Sequence, residues 1–123
     1  MIRCKRVYDQ AEEADGWRAF ADRLWPRGVS KAKFRPDEWC KSLAPSTSLR
    51  QQFHQQHIDY SYFASLYRAE LAAPALQPAL QQLVTRAVGG NITLLSAVKD
   101  LQFSHLTVLR EVMTEMIQQR QQT

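Results

Sequence analysis

Apolar positions recur along this chain with two different periods, and the helical one dominates after residue 44. Ala44-Pro45-Ser46-Thr47-Ser48 is a helix-start signature. Ser48 with Gln51 three residues on fits a capping box, and Ser46 is the other candidate cap. Leu49 and Phe53 then share a face, and Gln55 to Ile58 breaks the helix. Asp59 is a natural cap for a second helix, with Phe63, Leu66, Tyr67 and Leu71 at helical spacing. Pro74 ends it at about Ala73. Leu76, Leu80, Leu83, Val84 and Ala87 stripe a third helix, which tolerates Pro78 only in its first turn and stops at Gly89-Gly90. Leu106, Leu109, Met113, Met116 and Ile117 stripe the last one.

The strand signal is concentrated near the N-terminus, with one run near the end. Arg3 to Tyr8 alternates weakly and reads as a strand, followed by an acidic, turn-like loop from Gln10 to Gly16. Trp17 to Trp25 suits a second strand by length and aromatic content, although Ala19 and Ala21 also suit a helix. Pro26 ends it either way. Val29 to Pro36 is a basic loop. Asp37 to Leu43 alternates as a short edge strand, and the same residues also fit two turns of helix. Asn91 to Val98 is apolar on both faces, as a central, doubly covered strand requires.

This order predicts an α/β fold: a single-domain, three-layer sandwich with a small mixed sheet of about four strands and helices packed on it. The sheet is expected to be mixed because the loop joining the first two strands is too short for a helical crossover. Residues 1–117 form the domain and 118–123 a polar, frayed tail.

Composition narrows the partners. The 123 residues carry 45% hydrophobic and 23% charged side chains, which is ordinary for one globular domain. No apolar run is long enough to span a bilayer, and no apolar segment follows the charges of the N-terminus. The expectation is a cytoplasmic protein with no membrane partner. A net charge of +4 and a pI near 9.3 tilt the partners mildly toward anions: phosphates, nucleotides or nucleic acid. Cys4 and Cys40 lie far apart and form no CxxC or Cys/His cluster, so a reduced pair is expected, with no disulfide, metal site or catalytic thiol.

The stretch least like ordinary filler is Asp22-Arg23-Leu24-Trp25-Pro26-Arg27-Gly28, placed where a strand stops. In open α/β sheets, ligands collect outside the carboxyl ends of the strands. Asp9 follows the first strand, Asp22, Arg23 and Arg27 the second, and Lys99 the last. His105 stands near the start of the final helix. Arg23 and Arg27 are the anion holders, because a guanidinium offers a planar fork of donors to a carboxylate or phosphate. Arg6 and Lys99 add positive charge at the ends of the first and last strands. Asp22, Asp9 and His105 are the candidates for proton transfer. Each has a plainer reading. Arg23 could pair with Asp22, Asp9 or Glu70, and His105 could be a helix-start residue bonded to a backbone carbonyl. His54 and His57 read as solvent-facing. Gly89-Gly90 precedes a strand and is no phosphate loop, and no Ser sits in a G-x-S-x-G context.

Lys5-Arg6-Val7-Tyr8-Asp9, the block from Asp22 to Gly28, Leu43-Ala44-Pro45-Ser46-Thr47, Tyr67-Arg68-Ala69-Glu70-Leu71 and Thr93-Leu94-Leu95 together resemble the YeaO-like family, domain of unknown function 488. The resemblance runs from about residue 2 to about residue 112. It implies that the block is a unit and carries no activity with it. Two positions depart from the family pattern: Ser96 stands where an aromatic is common, and Phe103-Ser104-His105 replaces an Asn-His pair. The expectation is a protein that binds an anionic or phosphate-bearing small ligand, as an enzyme using Arg, Asp and His or without turnover. The alternatives are a nucleic-acid-binding module using the basic loop Lys31-Lys33-Arg35, beside Trp39, and a non-enzymatic interaction protein. The residues name no cofactor and no oligomeric state.

Overall fold

The computed structural model describes residues 1–122. Its strands are β1 (Ile2–Arg6), β2 (Trp17–Phe20), β3 (Glu38–Trp39) and β4 (Ile92–Ser96); its helices are α1 (Thr47–His54), α2 (Tyr60–Leu71), α3 (Gln77–Gly89) and α4 (His105–Gln121). The four strands form one sheet in the order β1-β4-β2-β3. This is the expected single-domain α/β fold.

The pairing differs from the expected mixed sheet. All three strand pairs are parallel, with Ile2 and Trp17 flanking Ile92, and Lys5 and Phe20 flanking Leu95. The short first connection does not force a hairpin, because β1 and β2 are not neighbours: β4 lies between them. Neighbouring strands are about 4.8 Å apart, and an extended chain advances up to about 3.5 Å per residue. Residues 7–16 can therefore step over one strand and return to the starting edge without an α-helix, using only a 3-10 turn at Glu13–Asp15.

The chain closes this step at Gly16, whose φ of 63° places it in the left-handed region. A Cβ there would lie 2.1 Å from the Asn91 carbonyl oxygen, so only glycine fits this approach.

The helices also settle on one face rather than two. Ala19, Ala21, Ile92 and Leu94 meet the helical stripes of Leu49, Phe63, Tyr67, Leu71, Leu80, Leu83, Leu106, Leu109 and Met113 in one core. The opposite face carries Phe20 and Leu95, packed with Val7, Phe34, Trp25 and Trp39. The cover there is loop, with Phe34 and Trp25 folded back over Phe20 at ring separations of 5.3 and 5.9 Å. Edge-on aromatic pairs of this kind add roughly 0.5–1.5 kcal/mol each beyond their burial. The central β4 is thus buried at every position, as its apolar sequence requires.

Local signals explain most element boundaries. Ser46, not Ser48, caps α1, its hydroxyl accepting from the Leu49 amide, and Asp59 caps α2 through the Tyr62 amide. Pro78 sits in the first turn of α3. The stretch from Trp17 to Trp25 is strand only to Phe20, and only Glu38–Trp39 of the stretch from Asp37 to Leu43 pairs. Lys41–Leu43 forms a 3-10 turn instead. α4 continues to Gln121, through most of the expected tail, and Thr123 lies outside the described residues.

Candidate functional site

Because every strand runs the same way, their carboxyl ends share one edge. Asp22, just past β2, is the centre of that edge. Its Oδ1 accepts from Ser96 Oγ at 2.7 Å, and its Oδ2 accepts from the Ala97 amide at 2.8 Å. His105, the first residue of α4, brings Nε2 to 3.0 Å from the same Oδ1. That nitrogen is also 3.0 Å from the Ala21 carbonyl. Two acceptors on one side of the ring assign the proton to Nε2. His105 is thus the carbonyl-bound helix-start residue of the plainer reading, and it also meets the Asp22 carboxylate. Asp22 and His105 are buried or nearly so, at 16% and 7% side-chain exposure. Burial alone raises the Asp22 carboxyl. The bond and charge of His105, with the Ala97 amide and Ser96 hydroxyl, outweigh it and hold the group below its ordinary range.

The cations divide into bound and open ones. Arg23 turns away from every carboxylate considered for it: Nε reaches the Pro45 carbonyl at 3.3 Å and Nη2 the Ala44 carbonyl at 3.2 Å. It ties the β2 end to the start of α1. Glu70 is occupied elsewhere, accepting from the Ser46 amide at 2.9 Å. Arg27 is exposed in the following loop, beside Gly28 with its φ of 70°. Trp25 points inward and donates Nε1 to the Val29 carbonyl at 2.7 Å, which holds that loop closed.

Arg6 behaves differently from Arg23. Its Nε donates to the Val98 carbonyl at 2.8 Å, and its guanidinium lies over the Tyr8 ring at 4.8 Å. Its terminal nitrogens meet no acceptor among the described residues. Lys99, one residue past Val98, is exposed and likewise unpaired among them. Asp9 does not join Asp22: it closes the turn after β1 by accepting from the Arg6 amide at 2.9 Å. The edge therefore brings Asp22, His105, Arg6 and the segment of Lys99 to adjacent strand ends. Arg23 is committed to the backbone and Asp9 to its own turn, and Arg27 stands exposed farther along the β2–β3 connection.

Residue-level reasoning missed Ser96 and Asp15. Ser96 is the one hydroxyl at the end of an apolar central strand, and its place beside Asp22 follows from the register. Asp15 is fully buried on the loop-covered face, 3.0 Å from Lys5, 3.3 Å from Arg18 and 3.6 Å from Arg3. Burial pushes its carboxyl up, but the Glu12 amide, Lys5 and Arg18 pull it below the usual range. Arg3 and Lys5 sit two apart on β1 and so share a face, which was a signal that a counter-charge is buried there. Both cysteines are free. Burial and Glu38 push the Cys40 thiol up to about 12, which leaves it unreactive at neutral pH.

The fold and this edge define a small parallel α/β domain whose acid–histidine pair is locked by its own backbone. The chain belongs to the family described as the inactive DUF488-N3 subclade, whose model matches residues 1–123. It is 44% identical over 110 residues to the uncharacterized protein YeaO of Escherichia coli (strain K12), covering 89% of this chain and 94% of that one. It is 37% identical over 112 residues to the uncharacterized protein Rv3073c of Mycobacterium tuberculosis (strain ATCC 25618 / H37Rv), covering 91% and 92%. No solved structure matches it significantly. Among the described residues, no helix is long and apolar enough to cross a membrane.

Proposed function

We propose that this protein binds an anionic, phosphate-bearing small molecule at the carboxyl edge of its sheet and does so without turnover. The observation that carries the reading is Arg6. Its guanidinium is fixed by the Val98 carbonyl and the Tyr8 ring, yet its two terminal nitrogens are open. A planar fork held in place loses little entropy on taking a phosphate bidentately. Lys99, one residue past the Val98 anchor, supplies a second positive charge. Binding rather than catalysis is supported by Asp22, whose two oxygens already accept three donors, and by the word "inactive" in the family description. A cytoplasmic setting fits the two free thiols.

A thermal-shift panel of nucleotides, pyrophosphate and inorganic phosphate tests this. A ligand at 100 times its Kd stabilises by about 2.7 kcal/mol, a rise of several degrees for a domain of this size. Arg6→Gln should weaken the response at least about tenfold, the loss of one charge-assisted bond, and Lys99→Ala should weaken it less. If the parent responds to no phosphate ligand, or if Arg6→Gln and Lys99→Ala respond as the parent does, the reading fails.

A further inference from the structure

We infer that the loop between β2 and β3 is a docking surface for the phosphate backbone of a single-stranded nucleic acid. Residues 21–37 hold five cations (Arg23, Arg27, Lys31, Lys33 and Arg35) against two carboxylates (Asp22 and Asp37), so they carry three of the chain's net four positive charges. Both carboxylates are already engaged: Asp22 as described, and Asp37 by the Arg18 amide at 2.8 Å. Arg27, Lys31, Lys33 and Arg35 are all exposed. None of these four side chains makes an ion pair or hydrogen bond among the described residues.

Several cations elsewhere are held by carboxylates. Arg3, Lys5 and Arg18 surround Asp15, and Arg68 is held by Glu111 and Glu115. Open positive charge is densest in this loop, with four cations within residues 27–35, whereas Arg6, Lys41, Arg86, Lys99 and Arg110 stand singly on other elements.

The loop is also preorganised. Trp25 and Phe34, its two aromatic residues, pack under it at 5.3 Å from each other, and Trp25 lies 5.4 Å from Trp39. Trp39 Nε1 donates to the Asp22 carbonyl at 2.7 Å, and the Lys33 and Phe34 amides both donate to the Ser30 carbonyl at 3.1 Å. Lys31 is steered by the Trp25 ring, 5.8 Å from its ammonium. The inner side of the loop is thus core and the outer side is cationic.

This division sets the mode of recognition. The ring of Phe34 is buried, at 3% exposure, and Trp25 is half-buried beneath Lys31, so the loop presents no fully exposed ring on which bases could stack. It forms no helix or ribbon to enter a major groove. What remains is contact with phosphates, which is independent of sequence and strongly dependent on salt.

Fluorescence anisotropy with labelled 20-nucleotide RNA and DNA strands across a KCl series tests the proposal. Each neutralised phosphate on a single strand contributes about −0.7 to the slope of log K against log salt, so four cations predict about −3. The variant Arg27→Ala/Lys31→Ala/Lys33→Ala/Arg35→Ala should bind at least about 100-fold more weakly at low salt, with a slope near zero. Arg35→Gln alone, a surface change without folding consequence, should reduce the slope by about 0.7. Arg6→Gln should leave strand binding intact, which separates this surface from the small-ligand edge. Three results would overturn the proposal: no strand binding by the parent at low salt, a slope unchanged in the loop variants, or retention on phosphatidylserine vesicles without binding to either strand.

Discussion

Two carboxylates bracket β2, and they are buried with different partners. Asp15, just before the strand, is fully enclosed by three cations, Arg3, Lys5 and Arg18. Asp22, just after it, is enclosed by a hydroxyl, an amide and one histidine. At the first end, charge answers charge and nothing is left over for a ligand. At the second end, one histidine shares the carboxylate with a hydroxyl and an amide, so the arginines and lysines of that edge are not consumed by it. The comparison explains why the open guanidinium of Arg6 lies beyond the carboxyl ends of the strands. It also explains why a fold this basic can hold two acids in its interior.

The largest effect should come from breaking the first arrangement. Asp15→Ala leaves three cations facing one another around a vacated buried site. Removing one partner of a buried ion pair costs about 3–5 kcal/mol. The low end, about 3 kcal/mol, is expected here because Arg3 keeps 34% of its side chain exposed and can turn to water. Urea denaturation measures it, and a loss below about 1 kcal/mol would mean that Asp15 is a surface pair and the contrast with Asp22 is false.

Next in size is Asp22→Asn, which keeps the shape and removes the charge. The new amide must aim donors at the Ala97 amide, the Ser96 hydroxyl or His105 Nε2, each of which already donates. A cost of roughly 2 kcal/mol follows, the value of a hydrogen bond to a charged group. The pH dependence sharpens this. The folded-state pKa of Asp22 is lowered, so its contribution is complete above the unfolded value of about 3.9 and is lost as pH falls through the folded one. Asp15 follows the same sign. The parent should therefore lose stability below about pH 4, and Asp22→Asn should show a shallower acid limb with the Asp15 share remaining. An unchanged acid limb would break the assignment.

The sequence made these two ends unequally legible. Helix periodicity located α2, α3 and α4 because their stripes are long, and Asp59 and Pro78 marked their starts. The block around Asp22 was visible as an odd composition at a strand end. Topology was not visible: a short connection between β1 and β2 reads as a hairpin unless a later strand is known to insert between them. That insertion alone turned a mixed sheet into a parallel one and brought Ser96 beside Asp22. The anchoring of Arg23 was hidden for a related reason. Its partners are the carbonyls of Ala44 and Pro45, and a backbone acceptor leaves no compositional trace. Asp15 looked like one acid in an acidic loop, although Arg3 and Lys5 on one strand face were asking for a buried anion. The one-sided placement of the helices was equally hidden, since Trp25 and Phe34 cover a sheet face without any period to reveal it.

The smallest change, Ser96→Ala, is the most discriminating. Ser96 Oγ donates to Asp22 and accepts from the Val98 amide at 3.1 Å, so it couples the carboxylate to the segment that carries Arg6's anchor. Removing it deletes one of three donors to Asp22 and leaves the carboxylate with Ala97 and His105. The expected cost is about 1 kcal/mol, the net value of an ordinary hydrogen bond. The Asp22 carboxyl should rise, because a bond to its charged form is lost, and the acid limb should move to higher pH. If the hydroxyl shares Asp22 with His105 as the comparison holds, the shift follows the hydroxyl and Ser96→Thr restores it. If the limb does not move, His105 alone supports the carboxylate, and the two ends of β2 are neutralised by the same means after all.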